Sequence, residues 1–315
     1  MRDLSGKILI LFFAIILFSG CKKDTDVYNP PLAPKAIAGN SQTIQLPQDS
    51  VILNGSGSSV GSKIVGYLWS EVSGPNVPVI ASQSSPTTAV RGLKSGTYIF
   101  QFEVIDTSGL TGVDTASIIV LPSPIVTLNL QPSNSSGDFT IWGNVSGLDQ
   151  SDSMSTELGA QSWTYNGIRI DMRGIIKFDL SNIPQNATIL NAKFSIYSIP
   201  TPLNGDHIHA NYGSDNTLLI QQVTTAWYPS QVNWVHQPST TTTGQIEIPS
   251  TTSPYFDLVD IDVTNLLSGM VSSNVNYGFL LRLKNEEIYN SRIFCSSKFS
   301  DATKHPKLIV TYKIN

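Results

Sequence analysis

A period-two alternation of apolar and polar side chains is the feature that most constrains the fold of this chain. It runs through residues 98–104, 174–180 and 279–283, and again through 308–312. Successive side chains of a strand point to opposite faces, so this spacing is typical of strands with one face in a core. Turn-forming clusters separate these runs, and helical periodicity is nearly absent. The sequence therefore predicts an all-β protein of the sandwich type.

Length and proline content together predict two domains. The chain has 315 residues, whereas one domain usually takes roughly 100–200. Pro122 and Pro124 interrupt the strand-like pattern, so we place one domain at residues 34–121 and a larger one at residues 125–315. Short helices are expected after Asp262, which can cap residues 265–271, and over Thr224–Trp227.

The N-terminus has the form of a secretory signal. Arg2 and Lys7 precede an apolar run over residues 8–18, and small residues lead to Cys21. The run is too short to cross a bilayer as a helix, which takes about 20 residues. A charged start, a short apolar run and small residues at the cleavage point are typical of signal peptides. Residues 1–20 are therefore predicted to be removed.

Residues 17–21 resemble the lipobox of bacterial lipoproteins, in which the bond before the cysteine is cut and the thiol is diacylated. The resemblance implies lipidation of Cys21, and the alternative is an ordinary signal peptide with a chance cysteine. Residues 21–33 are charged and then proline-rich, which is typical of an extended linker, and they resemble the surface-export tether of Bacteroidota lipoproteins. We expect a lipid-anchored outer-membrane protein at the cell surface, with periplasmic retention as the alternative.

Charge and cysteine content argue against two further classes of protein. The chain carries 19 basic and 23 acidic residues and shows no basic patch or stripe of the kind that nucleic-acid binding needs. Cys21 and Cys295 are its two cysteines. With Cys21 lipidated, no internal disulfide can form. Cys295 is predicted to be a small buried apolar residue.

The first domain has the features of an immunoglobulin-like sandwich. Tyr98 enters its strand as the corner tyrosine of such sandwiches does, and Trp69 is expected at the centre of the core. Several segments resemble the PKD domain, the immunoglobulin-like module of polycystin and many bacterial surface proteins. They are Ala38-Gly39-Asn40, Leu53 to Ser59, Tyr67-Leu68-Trp69, Ser73-Gly74-Pro75, Gly96-Thr97-Tyr98 and Val104-Ile105-Asp106. The resemblance implies a spacer or adhesion module.

One stretch of the first domain matches the sequence pattern of a catalytic motif. Gly57-Ser58-Ser59-Val60-Gly61 fits the G-x-S-x-G nucleophile motif, which needs a strand before the serine and a helix after it. Residues 62–69 are strand-like instead, and residues 34–121 contain no histidine. We therefore interpret this stretch as a turn.

Several motifs follow one another through the second domain. They are Arg173 to Pro184, Ala187 to Ala192, Val223 to Trp227, Val232-Asn233-Trp234 with Gln237-Pro238, Asp262-Val263-Thr264, Asn276 to Phe279, and Phe294 to Ser297 with His305 to Leu308. Together they resemble the DNRLRE family, a jelly-roll-like β-sandwich that overlaps alginate-binding carbohydrate modules. The resemblance implies a glycan-binding sandwich over residues 150–315. Residues 125–149 fit less well and are expected to form a first strand plus a loop.

Exposed aromatic residues are the first candidates for glycan contact, because the C–H faces of pyranose rings pack on aromatic rings. The candidates are Trp163, Tyr165, Tyr212 and Tyr228. Trp227 and Trp234 lie in the family motifs and are expected in the core or at a corner. Packing is the alternative role for every one of these rings, since large aromatics carry much of the buried area of a core.

Cationic residues are the second set of candidates. Arg169, Arg173 and Lys177 fall on one face if their strand is unbroken, and Arg282 and Arg292 are expected on neighbouring strands. Such a groove would clamp the carboxylates of an acidic polysaccharide. The alternative is that these cations form ordinary ion pairs with nearby acids, namely Asp171, Asp179, Glu286 or Glu287.

Two further clusters raise the question of a metal. His207 and His209 lie two apart and would project to one side of a strand, where they could contact a glycan or bind a metal. A zinc site needs a third and usually a fourth ligand, and none is identifiable, so no metal is predicted there. Asp257, Asp260 and Asp262 could contribute to a structural calcium site, although Asp262 is also the expected helix cap.

These observations predict a non-catalytic glycan-binding lipoprotein that holds extracellular polysaccharide, anionic and uronate-rich if the cations bind it. The expected partners are polysaccharide, a membrane through the lipid, and glycan-uptake or adhesion proteins of the outer membrane. One alternative is a structural or adhesion protein, which would show a flat, uncharged face in place of the groove. The other is a polysaccharide lyase or hydrolase, which would need converging His, Tyr and Arg residues or paired carboxylates in one cleft.

Overall fold

Strands dominate the protein, whose computed structural model describes residue 30 and residues 32–132, 137–144 and 147–315. The predicted signal peptide, Cys21 and most of the 21–33 linker lie outside the described residues. Among the described residues, one α-helix of 10 residues is present, and no helix is long and apolar enough to span a membrane. The all-β prediction is confirmed.

The first nine strands form an N-terminal sandwich. They are β1 (Lys35–Ile37), β2 (Gln42–Gln45), β3 (Val51–Asn54), β4 (Ser56–Ser58), β5 (Ile64–Ser73), β6 (Val79–Ile80), β7 (Thr87–Arg91), β8 (Gly96–Asp106) and β9 (Thr111–Leu121). One sheet has the order β2-β9-β8-β5, a second has the order β3-β7-β6, and β1 pairs with β4. β2 runs parallel to β9, whereas the other pairs are antiparallel.

Aromatic side chains fill the core of this sandwich as expected. Trp69 is fully buried, packs on Phe102 with ring centroids 4.6 Å apart and donates from Nε1 to the Pro86 carbonyl at 3.2 Å. The buried Tyr98 hydroxyl accepts from the Lys94 amide at 2.8 Å and donates to Asn76. A tyrosine hydroxyl bonded to backbone a few residues upstream is the corner of immunoglobulin-like sandwiches, so that prediction is confirmed.

The G-x-S-x-G stretch is a turn between two strands. β4 ends at Ser58 and β5 begins at Ile64, so no helix follows the serine and the interpretation as a turn is confirmed. Asp106 holds this turn, accepting from the hydroxyls of Ser62 at 2.6 Å and Ser59 at 3.2 Å. These bonds, with those from the backbone amides of Ser108 and Leu110, lower the pKa of Asp106 below its usual value, the Ser62 bond most of all.

The remaining thirteen strands form the larger C-terminal sandwich. They are β10 (Ile125–Leu130), β11 (Asp138–Gly143), β12 (Asp149–Asp152), β13 (Glu157–Tyr165), β14 (Ile168–Ile176), β15 (Thr188–Ile196), β16 (Asn211–Tyr212), β17 (Leu218–Val223), β18 (Thr240–Ile248), β19 (Leu258–Asp262), β20 (Phe279–Leu283), β21 (Asn290–Cys295) and β22 (Lys307–Lys313). One sheet has the order β10-β22-β15-β19. The other has the order β16-β21-β13-β14-β20-β17-β18, and β11 pairs with both β12 and β14.

The α-helix found in the described chain packs into the core between these two sheets. α1 (Thr264–Ser273) buries Leu266, Leu267, Met270 and Val271 among apolar side chains of both sheets. Asp262 accepts from the Thr264 amide at 2.9 Å, which satisfies one of the free N–H groups at the helix start. The helix expected after Asp262 is therefore present. A one-turn 3₁₀ helix covers Ala302–Lys304.

Three expectations about local structure have different outcomes. Thr224–Trp227 is a loop and not the expected helix. The Thr224 amide donates to the Ser239 carbonyl, and the Trp227 ring donates to the Tyr277 carbonyl at 2.8 Å. These two bonds hold the segment in its loop conformation. Residues 125–149 were expected to form one strand and a loop. They contain two strands, β10 and β11, so this expectation is wrong for residues 138–143. Cys295 is buried as predicted, and burial raises the pKa of its thiol to about 12.

Candidate functional site

A hairpin of the larger sheet brings the predicted aromatic residues together. β13 and β14 are joined by Asn166 and Gly167, both with positive φ, which is the backbone of a tight two-residue hairpin turn. In this register Trp163 lies opposite Ile170 and Gln161 lies opposite Met172. On the other side of β14, β11 places Trp142 opposite Met172 as well.

These three strands, the end of β12 and two loops, at residues 155 and 203–207, line a cavity of about 400 Å³, which we call the aromatic cavity. This volume is within the usual range of small-ligand sites, about 300–1,000 Å³. Its apolar lining comes from Trp142, Trp163, Tyr165, Ile170 and Met172. Its polar lining includes Gln161, Asp152, Asn204 and His207. Trp163, Tyr165 and His207, named from the sequence as glycan candidates, thus meet in one place.

The aromatic rings that line the cavity contact other rings and keep part of their surface exposed. Trp142 and Tyr165 have centroids 5.4 Å apart in a tilted arrangement, and Tyr165 is 49% exposed. Trp163 makes edge-to-face contacts with Tyr212 at 5.5 Å and Tyr289 at 5.1 Å. Such contacts hold rings in fixed orientations, so the cavity presents a preformed aromatic surface.

Two residues beside the rings have unusual backbone conformations. His207 and Tyr289 both have a φ of +66°, which is uncommon for residues other than glycine and costs conformational energy. The Tyr289 amide donates to the Ser162 carbonyl at 2.9 Å, which anchors this residue against β13. Strained backbone that the surrounding structure holds in place is concentrated at functional sites.

The buried acid Glu157 fixes the loop that forms one wall. Its carboxylate accepts from the Leu203 amide and from Asn204 Nδ2 at 2.6 Å. Glu157 is only 3% exposed, and burial raises the pKa of its carboxyl group, partly offset by these hydrogen bonds. The Leu203–Asn204 wall is therefore held from behind by a side chain that solvent barely reaches.

The histidine pair does not have the arrangement expected from the sequence. Residues 201–210 form turns rather than a strand, so His207 and His209 do not project from a common strand face. His207 lines the aromatic cavity. His209 instead contacts the Asp206 carboxylate through Nδ1 at 2.6 Å, and its ring lies 6.5 Å from that of Tyr212.

The predicted cations divide among three environments, and no free cationic groove results among the described residues. Arg173 binds Glu286 through Nε at 2.7 Å and lies 4.7 Å from the Trp234 ring, while Arg282 contacts the same carboxylate at 3.2 Å. Arg169 pairs with Asp171 at 3.1 Å and donates to the Glu286 carbonyl, so the three arginines lie around Glu286. Each of them is paired with an acid, as the alternative of ordinary ion pairs predicted, and their contact with an anionic glycan stays a prediction.

Arg292 is a buried structural residue, which corrects its assignment as a glycan candidate. Its side chain is 0% exposed, and its Nε donates to the Asn216 carbonyl at 3.1 Å while Nη2 donates to Pro249. Burial lowers the pKa of its guanidinium to about 10. A polysaccharide cannot reach a side chain in this position.

Lys177 lies apart from the arginines, because β14 ends at Ile176. It lines a second cavity, of about 620 Å³, together with Asp179, Trp227 and Tyr228; we call this the Lys177 cavity. Tyr228 is 61% exposed, but Trp227 is engaged in packing on Phe139 at 5.5 Å. The Lys177 cavity is larger, but two of its lining rings keep exposed surface, Trp227 and Tyr228, whereas three do so in the aromatic cavity, Trp142, Trp163 and Tyr165.

Within the described ranges, no group of three or more His, Cys, Asp or Glu side chains is placed to hold a metal. Asp257 accepts from the Ser198 amide at 2.9 Å, and Asp262 pairs with Lys193 at 3.0 Å. Asp257, Asp260 and Asp262 therefore do not form the calcium site considered from the sequence.

Several residues in or beside the site were missed by reasoning from the sequence, among them Trp142, Gln161, Asn204 and Tyr289. Trp142 was missed because its segment looked like a loop, although Phe139 and Ile141 alternate with Thr140 and Trp142. Asn204 and Tyr289 carry no signal in the sequence. Gln161 shares a strand face with Trp163 and Tyr165 at two-residue spacing, which could have suggested it.

Comparison with known families assigns both halves of the chain. The family model for carbohydrate-binding module family 96 matches residues 150–312, and a model described as K319L-like, PKD domain matches residues 38–120. The solution structure of the PKD domain from KIAA 1837 protein is 34% identical, covering 30% of this chain and 92% of that one, with a TM-score of 0.27.

Two curated proteins and a second solved structure are also similar to this chain. Mouse dyslexia-associated protein KIAA0319-like protein is 36% identical over 87 residues, covering 28% of this chain and 8% of that protein. Human low-density lipoprotein receptor-related protein 11 is 39% identical over 93 residues, covering 29% of this chain and 18% of that protein. The chain thus spans a small part of these curated relatives. A structure described as a promiscuous carbohydrate-binding module of the β-sandwich superfamily is 14% identical, covering 91% of this chain and 94% of that one, with a TM-score of 0.24.

Proposed function

The chain belongs to carbohydrate-binding module family 96 through residues 150–312 and carries a PKD domain at residues 38–120, and on this premise we propose that it captures extracellular polysaccharide without catalysis. The observation that carries the proposal is the aromatic cavity. Trp142, Trp163 and Tyr165 offer ring faces for pyranose C–H groups, and Asn204 and His207 offer polar groups for hydroxyls.

The proposed setting is the outer surface of a bacterial cell. Lipidation at Cys21 would anchor the mature chain, since acyl chains contribute about 0.8 kcal/mol for each buried methylene. The PKD domain would then act as a spacer that separates the glycan-binding domain from the membrane. Glycan-uptake or adhesion proteins of the outer membrane would be its neighbours there.

Glycan binding by the aromatic cavity can be tested by affinity electrophoresis of the chain without its predicted signal peptide. Gels containing single neutral or acidic polysaccharides would be compared for the wild type, Tyr165→Ala and Tyr228→Ala. We expect at least one polysaccharide to retard the wild type and the Tyr228 variant, but not the Tyr165 variant. Loss of retardation with Tyr228→Ala alone would move the site to the Lys177 cavity, and no retardation in any gel would contradict the function.

One observation favours a second candidate, a polysaccharide lyase. Tyr165 and His207 line the same cavity, and residues of these types can act as acid and base. Elimination next to a uronate also requires its carboxylate charge to be neutralised, and no Lys or Arg is among the residues that line this part of the described structure. We therefore expect no unsaturated product, measured as ultraviolet absorbance, when the protein is incubated with alginate or polygalacturonate.

A further inference from the structure

The aromatic cavity lies at one end of a longer row of side chains that crosses the larger sheet. Trp142 in β11 and Tyr212 in β16 belong to one row of directly opposed residues, whose other members are Met172, Gln161 and Ser291. Directly opposed residues on neighbouring strands point to the same face of a sheet. Trp142 and Tyr212 therefore lie on one face, separated by four strand spacings, or roughly 19 Å.

The middle of this row is covered, so that a ligand reaches the side chains beside it. A Cβ placed on Gly205 would lie 3.4 Å from Gln161 Oε1 and 3.6 Å from Ser291 Oγ, and both of these residues are buried. In the neighbouring row, Trp163 is half-buried and Tyr289 is 49% exposed. The surface that a ligand can reach therefore continues from the cavity over Trp163 and Tyr289.

Rings beyond Trp163 extend this surface to the edge strand β16. The Trp163 ring contacts those of Tyr289 and Tyr212 edge to face, and Tyr212 is 42% exposed. The His209 ring lies nearly parallel to the Tyr212 ring, at 22°, and its side chain is also partly exposed. We call Tyr289, Tyr212 and His209 the Tyr212 subsite. The loop that supplies His207 to the aromatic cavity thus supplies His209 to this subsite.

We infer that the glycan site continues from the aromatic cavity over Trp163 into the Tyr212 subsite, so that the protein binds several consecutive sugar units of a polysaccharide chain. This inference rests on the glycan-binding function proposed above. The C–H faces of successive sugar rings pack on Trp163, Tyr289 and Tyr212, while the imidazole of His209 offers a hydrogen-bonding group for their hydroxyls. A short fragment reaches only part of a surface roughly 19 Å long, so affinity depends on chain length.

Calorimetry with fragments of increasing length tests this inference on the chain without its predicted signal peptide. The probes are size-separated oligosaccharides, from the disaccharide upwards, of alginate and of each polysaccharide that retards the protein in affinity electrophoresis. We expect the affinity to rise about tenfold or more between the disaccharide and fragments that span both parts of the surface, and then to level off. The same affinity at every length would overturn the inference and leave the glycan-binding function standing. No binding at any length, intact polysaccharides included, would contradict that function itself.

Tyr212→Ala distinguishes a subsite from a residue that only positions Trp163. Loss of a subsite removes the gain with length and leaves the affinity for short fragments unchanged, whereas loss of positioning lowers the affinity for every fragment by the same factor. We expect the first pattern for Tyr212→Ala and for Tyr289→Ala. Tyr212→Phe, which keeps the ring, should behave as the wild type does.

Tyr228→Ala is the matched control, because Tyr228 is an exposed tyrosine of the same domain that lines the Lys177 cavity. It should keep the full gain in affinity with fragment length. A gain that survives in both Tyr212→Ala and Tyr289→Ala, or an equal loss at every length, would overturn the inference.

Discussion

At the scale of single residues, Arg292 shows how a cationic side chain can stabilise the fold instead of binding a ligand. It is fully buried among carbonyl groups, and substitution by methionine keeps most of the apolar stem while leaving the carbonyls of Asn216 and Pro249 without this donor. Each lost partner costs about 1–3 kcal/mol. We expect Arg292→Met to lower the Tm of the C-terminal sandwich by at least roughly 4–8 °C, measured by calorimetry.

Arg169→Met is the control for this prediction, because Arg169 has a half-exposed side chain paired with Asp171. Exposed pairs contribute about 0–1 kcal/mol, so its Tm should change little. Glycan affinity of the folded Arg292 variant should equal that of the wild type. An unchanged Tm combined with lost glycan binding would restore Arg292 as a ligand-binding residue.

Asp106 predicts an acid sensitivity of the N-terminal sandwich. Because the fold lowers the pKa of its carboxyl group, with the Ser62 bond as the largest cause, its stabilising effect is present above the ordinary pKa of aspartate, about 3.9, and is lost as the pH falls through the lowered value. Asp106→Asn should therefore lower the Tm at pH 7, and the difference from the wild type should shrink as the pH approaches 3.

Asp49→Asn is the matched control for Asp106, since Asp49 is exposed. Thermal unfolding followed by circular dichroism from pH 7 to pH 3 gives the comparison. A difference between Asp106→Asn and the wild type that is the same at every pH would contradict this account of the turn.

At the scale of secondary-structure elements, the wall formed by Leu203 and Asn204 depends on Glu157 in β13. Glu157→Ala removes both hydrogen bonds, whereas Glu157→Gln keeps one acceptor oxygen. We expect faster amide exchange at residues 203–207 in both variants. Glycan affinity should fall about tenfold for alanine, which corresponds to about 1.4 kcal/mol, and less for glutamine.

The two Glu157 variants also separate the wall from the rest of the domain. Exchange at residues 218–223 of β17 should be unaffected if the effect is confined to the loop. Faster exchange there would show that Glu157 stabilises the whole sandwich, and unchanged glycan affinity in Glu157→Ala would remove the wall from the site.

Strands were predictable from the sequence, whereas most loops were not, and the charge partners were predictable only as a set of nearby acids that included Asp171 and Glu286. The alternation over residues 98–104 and 308–312 marked β8 and β22 because their own side chains report which face is buried. Residues 201–210 have no comparable pattern, and their turns depend on Glu157 and Asp206, which accept their amides and are not recognisable as such from the sequence. Likewise, the pairing of Arg173 and Arg282 with one carboxylate, Glu286, depends on tertiary structure.

At the scale of the whole molecule, the proposed lipidation of Cys21 predicts where the protein is found. Cys21→Ser should prevent acylation, so that the protein leaves the membrane fraction, measured by fractionation and by intact-mass spectrometry. Protease added to intact cells should degrade the wild type if it faces outward. A Cys21→Ser protein that remains in the membrane fraction would contradict lipid anchoring, and protection from protease would place the protein in the periplasm.

The central claim is that the glycan binds in the aromatic cavity, and tryptophan fluorescence tests this most directly. Trp142 and Trp163 line the aromatic cavity, Trp227 lines the Lys177 cavity and Trp234 stacks on Arg173. During titration with a polysaccharide that retards the protein in affinity electrophoresis, we expect a spectral shift in the wild type and in the Trp227→Phe, Trp234→Phe double variant, and none in the Trp142→Phe, Trp163→Phe double variant. A shift that persists without Trp142 and Trp163 would contradict glycan binding in the aromatic cavity.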